Sequence, residues 1–427
     1  MAAQRIRLAQ ETGKEADSMA LAEKLKNNMA TVLIIVAMIA GIIFGVNFRE
    51  QAQGIKFVGD IFFRLIQMSI IPFVMCQVIE AVGSLTKQQL GRSGLAAIIL
   101  FFVSSVIASA FGIMMCLIFQ PGANFGTVGG DASSITTVNT NVEEMVTDFI
   151  PSNIFSSMTE GSIIQVIVFS LFFGFAISAY ASKTGSSKVL DLIRETNELL
   201  MTIIRTVMKA APVGIFAYVA STAGSLGVQS LGSLLNYIIV FAASIFMFMA
   251  LWFILIAVVC RTSIVKLLKK MFPMSVMAMA TTSSAVTLPV EMKDAKEKLG
   301  LDEDIANLVL PLGMPLNSNG AAMYISFTAI MISQIYGITF DVPYLAYIAI
   351  VSMLLSLANA VVPGAGIVSL TMMAPQFGLP LESVAIFAGI DWIMGVFRTV
   401  LNVNSDVFCA LLVAKFEGKL DRERMNV

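Results

Sequence analysis

A line of polar side chains runs through an apolar segment near the end of the chain. The segment 389–406 reads GIDWIMGVFRTVLNVNSD and contains Asp391, Gly395, Arg398, Asn402 and Asp406. Successive members are three or four residues apart, which places all five on one face of a helix. An ionised side chain in the middle of a bilayer costs about 3 kcal/mol, so such groups must face a protein interior or a wet cavity. We therefore expect a binding site along this helix face.

The composition indicates what kind of protein surrounds this helix. The chain has 427 residues, of which 57% are hydrophobic and 13% are charged, and its mean hydropathy is +0.85. Continuous apolar segments of about 20 residues recur along it, which is the length of a helix that spans a bilayer. Membrane barrels instead alternate polar and apolar residues in short strands. The sequence predicts an all-α polytopic membrane protein in a lipid bilayer.

Residue types disfavour several other classes of function. The net charge of -1 offers no basic surface for nucleic acid. The 4 cysteines lie in or beside apolar segments without metal-ligand spacing, and the chain contains no histidine. We find no nucleophile with a neighbouring base and no glycine-rich phosphate loop, so we do not expect an enzyme or an ATP-driven protein.

Length and hydropathy predict six spans in the first 260 residues, at about 29–48, 56–83, 93–119, 161–182, 189–218 and 231–259. The segment 189–218 is amphipathic, so we expect its first half to run along or beyond the membrane interface. Basic residues concentrate in alternate connections, whereas the loop 120–150 has acidic residues but no lysine or arginine. By the positive-inside rule both termini are cytoplasmic in a cell inner membrane, and residues 1–28 form a cytoplasmic tail.

Three later segments are too polar or too short to be simple spans. Residues 264–291 contain TTSSAVTLP and have basic residues on both sides, which favours a re-entrant hairpin from the cytoplasm. NSNG at 317–320 predicts a broken helix, because its side chains compete for backbone hydrogen bonds. VPGAG divides 342–377 into two short halves, which favours a second hairpin from outside. The prediction is eight spans plus two hairpins in inverted units, an arrangement typical of secondary transporters.

The residues themselves leave two interpretations open for the charged groups. Arg398 could pair internally with Asp391 or Asp406, or it could hold a substrate carboxylate through its guanidinium fork. Asp406 could neutralise Arg398, or it could join Asn402 and Asn317 in an oxygen cage for sodium. Two hairpins that converge nearby favour a substrate role for Arg398, because intramembrane ions mark transport pathways.

These motifs together resemble the dicarboxylate/amino acid:cation symporter family, which includes glutamate, aspartate and C4-dicarboxylate transporters. The resemblance runs from about residue 30 to 417 and rests on TTSSAVTLPV, PLGMPLNSNG, VPGAGIVSL and the segment 389–406. It implies a homotrimer with one transport pathway per subunit and an elevator mechanism. A fixed scaffold would comprise 29–92 and 161–230, and a moving transport domain would comprise 93–119 and 231–417, with hairpins near 264–291 and 342–377. Residues 120–160 would form an extracellular loop and linker, and 418–427 a second cytoplasmic tail.

The resemblance also implies roles for residues at the substrate site. Arg398 looks like the arginine that pairs with the distal carboxylate of an acidic substrate. Asn402 looks like the asparagine that binds the substrate backbone, and Ser284 like the hairpin serine on its main carboxylate. The other residues that we assign to this site are Ser283, Thr399, Val362 and Gly364, with Asp391 supporting them. The hydroxyls of both hairpin serines could instead bond within their own helix.

Sodium ions are the coupling cations that the resemblance implies. Asp406 resembles the sodium-binding aspartate of the family, with Asn402 beside it. Asn317 is similar to part of a further sodium site, to which Ser104 and Ser105 would contribute.

Departures from the family pattern bear on the substrate and on the number of cations. Gly395 stands where amino acid transporters have the aspartate that binds the substrate ammonium, and burying an ammonium without a counter-charge is unfavourable. Asn319 replaces an aspartate of a sodium site, Ala321 replaces a threonine that contacts substrate, and Thr282 stands where an arginine is often found. We therefore expect import of small anions, C4-dicarboxylates first, with fewer coupled cations.

Two alternatives stay open on the sequence alone. The first is a symporter for acidic or neutral amino acids whose amine is held by carbonyl groups. The second is an anion channel or a non-transporting receptor, which would have the same composition. Concentrative, cation-dependent uptake separates a symporter from both members of the second class.

Overall fold

The apolar segments form helices in the structure, which is a computed structural model. The described residues are 33, 36–86, 89, 91–123, 143, 147–226, 229–359 and 365–426. Within these ranges there is no β-strand, and an isolated bridge joins Leu301 and Leu420, so the predicted all-α class is confirmed there. The tail 1–28, the centre of the loop 120–160 and the tip of the second predicted hairpin lie outside the described residues.

In chain order the helices are α1 (Val36–Asn47), α2 (Arg49–Gly54), α3 (Lys56–Gly83), α4 (Arg92–Phe119), α5 (Ile154–Glu160), α6 (Ile163–Thr184), α7 (Lys188–Met208), α8 (Ala211–Leu226), α9 (Gln229–Cys260), α10 (Ile264–Thr281), α11 (Ser284–Glu297), α12 (Glu303–Leu316), α13 (Asn319–Tyr336), α14 (Val342–Leu357), α15 (Ala365–Gln376), α16 (Val384–Ala388), α17 (Asp391–Phe416) and α18 (Arg422–Asn426). A single turn of 3-10 helix, Leu381–Ser383, precedes α16.

Five stretches of the described chain are long and apolar enough to cross a membrane, namely α2 with α3, α4, α6, α9 and α17. Helices α7 and α8 pass the same test only as a pair, and they are bent by 55° at the break between them. The sequence predicts one span at 189–218, so the structure divides a segment that hydropathy joins. Pro212 lies in the first turn of α8 and has no N–H with which to continue the hydrogen bonding of α7. The count of eight spans and the re-entrant nature of the hairpins stay predictions.

Helix α4 illustrates how the long helices sort their side chains. One stripe recurs every four residues and is more than half exposed, as a lipid-facing stripe would be: Leu95, Ile99, Val103 and Ile107. The opposite face packs on α13, where a Cβ added to Gly112 would stand 2.8 Å from Cγ of Met323. Ser104 and Ser105 lie on this buried face, so α4 presents hydroxyl groups to the interior.

Two helix breaks are described inside the bundle. Helix α12 ends at Leu316 and α13 begins at Asn319, so the helix breaks within the NSNG segment, as predicted. Helices α10 and α11 are separated by Thr282, whose φ of 49° is left-handed, and by Ser283. Both helix pairs pack against α17. Helix-breaking backbone within a membrane is tolerated where it is buried in protein or lines a cavity. We therefore expect the site to lie where these breaks meet α17.

Helix α17 lies at the centre of one group of helices. Every residue from Arg398 to Ala414 is buried, and the helix packs against α4 and against α9 to α13. On its α9 side, the ring of Trp252 stacks on Phe408 with 5.4 Å between centroids. A second group forms around α3, which packs against α6, α7 and α8. The enclosure of α17 by protein is what permits a polar stripe on an apolar helix.

Candidate functional site

The guanidinium group of Arg398 is buried and only partly paired. Arg398 is 6% exposed. Its Nη1 stands 3.7 Å from Oδ1 of Asp391. Cζ of Arg398 lies 5.2 Å from the centroid of the Tyr324 ring, which is a cation–π distance. Within the described chain Nη1 has no hydrogen-bond partner. The group can therefore donate to an anion that enters the site.

Asp391 joins three elements around this arginine. Its Oδ1 accepts a hydrogen bond from the hydroxyl of Tyr324 at 3.2 Å. The backbone N–H groups of Gly366 and Ile367, at the start of α15, also donate to its carboxylate. A Cβ added to Gly366 would overlap Oδ1 of Asp391 and stand 2.5 Å from Nη1 of Arg398. Only glycine allows α15 to begin this close to the ion pair.

Gly395 leaves open space on the same face of α17. Apart from neighbouring backbone of the helix itself, a Cβ added there would meet one atom within 4 Å, Nη2 of Arg398 at 3.8 Å. The hydroxyl of Thr399 donates to the carbonyl of Gly395 at 2.8 Å, so it is engaged within its own helix. Among the described residues Asp391 is the only acid that forms an ion pair with Arg398.

A second polar cluster lies about two turns further along α17. Nδ2 of Asn317 donates to Oδ1 of Asp406 at 2.7 Å. Oδ1 of Asn402 accepts from the N–H of Gly320 at 2.7 Å. Gly313 of α12 lies against the same acid, since a Cβ there would stand 2.7 Å from Oδ1 of Asp406. Hydrogen bonds thus join the break between α12 and α13 directly to the polar stripe of α17. Asp406 accepts a hydrogen bond from Asn317 and does not pair with Arg398.

Ser104 and Ser105 bring α4 to this broken helix. The hydroxyls of Ser105 and Ser104 donate to Oδ1 of Asn319 at 2.7 and 3.1 Å. The hydroxyl of Ser104 also stands 3.3 Å from Oδ1 of Asn317. Nδ2 of Asn319 is buried and has no partner in the described structure. The structure therefore brings together the four residues expected to form a further sodium site.

These two clusters differ in how well they fit a small hard cation. Asp406 supplies a carboxylate, and carboxylate and carbonyl oxygens are ligand types that sodium takes in transporters. Around Asn319 the only side-chain oxygen of the amide already accepts from two serines, and the unpartnered atom is a donor. The carboxylate of Asp406 therefore suits sodium better than the cluster around Asn319, where the amide carries no charge.

The two serines at the break between α10 and α11 lie at the start of α11. Ser283 is the N-cap of α11, and its hydroxyl accepts from the N–H of Val286 at 3.4 Å. Ser284 is the first residue of α11 and is buried. In the part of the chain that is described, no hydrogen bond joins either serine to Arg398, so their predicted contact with substrate stays a prediction.

The three remaining candidates are placed as follows. Ala321 is buried in the first turn of α13, next to the glycine that binds Asn402. Val362 and Gly364 lie outside the described residues. Their predicted role at the tip of the second hairpin therefore stays a prediction.

Sequence reasoning missed two residues at the site, Tyr324 and Gly366, and it gave no role to the buried Glu291. Tyr324 lies in the apolar run of α13, and an aromatic residue about one turn beyond the helix break was its only signal. Gly366 is the last residue of VPGAG, which was interpreted as a flexible tip and not as a contact to Asp391. Glu291 was the last residue of the predicted hairpin 264–291, and no role was assigned to it. Its signal was its charge, because an ionisable residue in a membrane-embedded segment often marks a functional site.

Comparisons with known proteins show the family to which the chain belongs. The model of the sodium:dicarboxylate symporter family matches residues 30–416. The chain is similar to a proton/sodium-glutamate symport protein of Bacillus caldotenax, with 32% identity over 403 residues that cover 92% of this chain and 95% of that protein. It is similar to a proton/glutamate-aspartate symporter of Escherichia coli (strain K12), with 30% identity over 415 residues that cover 92% and 93%. It is also similar to a C4-dicarboxylate transport protein of Pseudomonas syringae pv. tomato, with 31% identity over 405 residues that cover 92% and 87%.

The family match includes both groups of helices, the broken helix and the whole of α17. The relatives are symporters and transport proteins for small anions, which confirms the prediction that the protein is a membrane transporter and not an enzyme. With a family match that covers residues 30–416, the chain belongs to the sodium:dicarboxylate symporter family.

Proposed function

We propose that this protein is a sodium-coupled secondary symporter that imports small anions, with C4-dicarboxylates such as succinate, fumarate and malate preferred. The observation that carries the proposal is the open space at Gly395 beside the guanidinium of Arg398. A site with a buried cation and no free acid favours a substrate that carries negative charge only.

One carboxylate of the substrate would bind Arg398. The guanidinium is held in place by the Tyr324 ring and by Asp391, yet Nη1 keeps a donor without a partner. Charge-assisted hydrogen bonds between arginine and a carboxylate are among the strongest in proteins, and burial strengthens them. The second carboxylate would lie towards Asn402 and the N-terminus of α11, where Ser284 begins the helix.

An amino group would find no free acid in this site. Asp391 is the nearest candidate, but it already pairs with Arg398 and accepts hydrogen bonds from Tyr324 and from two N–H groups of α15. An ammonium group would have to displace these partners or stay unpaired, and an unpaired buried charge is strongly destabilising. This argument separates the preferred substrate from glutamate and aspartate.

The competing proposal is a symporter for acidic or neutral amino acids. It is favoured by the names of two relatives, which are a glutamate and a glutamate-aspartate symporter. The amine would then be held by backbone carbonyls at the helix breaks.

Sodium would bind at Asp406, with Asn317 and Asn402 as neighbouring oxygen donors. The names of relatives include both proton and sodium as coupling ions. Because Asn319 carries no charge, we propose that fewer cations are coupled than in relatives with an aspartate there.

The proposed mechanism is an elevator movement within a homotrimer in the inner membrane. The packing of α3 with α6, α7 and α8 supports a scaffold, and the separate packing of α17 with α4 and α9 to α13 supports a transport domain. The pair α10 and α11 would close the site from inside, and the pair α14 and α15 would gate it from outside. Both termini would be cytoplasmic.

Uptake into proteoliposomes tests the proposal. Purified protein is reconstituted, and accumulation of labelled succinate and labelled aspartate is measured with an inward sodium gradient and with sodium replaced by choline. We expect succinate to accumulate above its external concentration only with the gradient. Accumulation of aspartate with no uptake of succinate would refute the dicarboxylate proposal, and cation-independent equilibration of succinate would indicate a channel.

A further inference from the structure

Glu291 is a buried carboxylate that the site as described so far does not use. It lies on α11 and is 1% exposed. Its neighbours on that face of the helix, Thr287 and Asp294, are also buried. Asp294 forms an ion pair with Lys298 at 2.6 Å, whereas no described lysine or arginine pairs with Glu291. The acid therefore lies inside the protein without a basic partner.

The interior neighbour of Glu291 is Asp406. Oε1 of Glu291 is fully buried and has no hydrogen-bond partner in the described chain. The charged group with which it interacts electrostatically is the carboxylate of Asp406 on α17, and α11 packs directly on that helix. Two buried carboxylates near each other repel, and neither has a cationic side chain to offset the loss of hydration. A bound monovalent cation between them would offset one of the two charges and reduce their repulsion.

The described contacts of Oδ1 of Asp406 come from α12 and the residue at its end. Asn317 donates to its Oδ1, and Gly313 of α12 packs against the same oxygen. Across the broken helix, Asn319 offers an unpartnered donor and no charge. The negative charge that Asn319 lacks is present at Glu291, which lies on another helix packed against α17.

We propose that Glu291 and Asp406 together hold one monovalent cation, sodium, with Oε1 of Glu291 as a ligand. The proposal rests on the proposed sodium-coupled transport and adds a residue and a helix to its cation site. It makes α11, the second arm of the first hairpin, part of the site, so that sodium binding draws this arm towards α17. Asn317 and Asn402 would supply further oxygen atoms to the same ion.

Direct sodium binding tests the proposal without requiring transport. Equilibrium binding of radioactive sodium to purified protein in detergent is measured for the wild type, Glu291→Gln, Glu291→Asp and Glu297→Gln. Glu297 is exposed on the same helix, so Glu297→Gln is a matched control. We expect Glu291→Gln to weaken sodium affinity by about tenfold or more, because ligand charge count tunes cation affinity. Glu291→Asp should be intermediate, and the control should stay within about twofold of the wild type.

The outcomes separate this inference from the proposed function. If the wild type binds sodium and both Glu291 variants bind it equally well, the inference is overturned and sodium coupling stands. If the wild type binds no sodium, both are overturned. Should Glu291→Gln fail to give a monodisperse protein, Glu291→Asp decides the matter, because its charge is kept but its carboxylate is withdrawn by one methylene group. A change in proton dependence with unchanged sodium binding would also overturn the inference.

Discussion

Aspartate in place of Gly395 would put a second carboxylate beside Arg398. The space for it exists, because a Cβ at this position meets only Nη2 of Arg398, at an ordinary contact distance of 3.8 Å. Glycine within a helix is less favourable than alanine by about 0.5–1 kcal/mol, so the new side chain should not destabilise α17 through its backbone. The change therefore alters charge more than shape.

The size of the effect follows from that distance. Two opposite charges about 4 Å apart attract with about 4 kcal/mol at an effective dielectric constant of 20. The substrate would keep part of its binding energy, because Nη1 of Arg398 remains available to it. We expect a loss of about 1.4–2.8 kcal/mol, which corresponds to a half-saturating succinate concentration raised about 10- to 100-fold. The same carboxylate would offer an ammonium group a partner, so transport of aspartate should rise.

Comparing the uptake of succinate with the uptake of aspartate measures this change in substrate preference. Uptake of labelled succinate and labelled aspartate is recorded for Gly395→Asp, Gly395→Asn and Gly395→Ala in proteoliposomes with a sodium gradient. Gly395→Asn has the shape of the aspartate without its charge, and Gly395→Ala adds only the Cβ, so both should change succinate affinity by less than about threefold. If Gly395→Asp keeps the succinate preference of the wild type, or if Gly395→Asn reproduces its effect, the electrostatic reasoning is refuted.

Substitutions at three further positions test the contacts around the arginine. Arg398→Ala should abolish anion uptake. Arg398→Lys should not restore it, because a lysine lacks the planar fork that binds a carboxylate while stacking on Tyr324. Normal uptake by either variant would mean that Arg398 has a structural role only. Gly366→Ala should reduce uptake more than about tenfold, since its Cβ would overlap Asp391. Gly54→Ala is the control and should transport normally, because nothing lies within 4 Å of the added atom. Tyr324→Phe removes the 3.2 Å hydrogen bond to Asp391 and should lower thermal stability by about 0.5–1.5 kcal/mol; an unchanged melting temperature would mean that this bond does not hold the carboxylate.

The polar stripe of α17 could be predicted because its cause is local. Residues three or four apart share a helix face, and charged groups in an apolar segment must be enclosed by protein. The break at NSNG was predictable for the same reason, since the competing hydrogen bonds belong to those side chains. In both cases the feature is determined by residues that lie close together in the sequence.

The partner of Arg398 could not be predicted from spacing. Asp391 and Asp406 lie seven and eight residues away on the same face, so both were possible. The choice depends on distant segments: Tyr324 and the first N–H groups of α15 hold Asp391 beside the arginine, while Asn317 binds Asp406. The electrostatic interaction of Glu291 with Asp406 is equally non-local, because it depends on how α11 packs on α17.

The ion pair between Arg398 and Asp391 has a consequence for the empty carrier. In a transport cycle the protein must return across the membrane without its substrate, and a lone guanidinium at that depth would cost about 3 kcal/mol or more. Asp391 supplies an anion that stays with the protein, 3.7 Å from Nη1. In the proposed cycle, the charge of Arg398 therefore keeps an anionic partner on the return step. A carrier without this internal anion would exchange one substrate for another and yet accumulate little, because only its loaded form would cross readily.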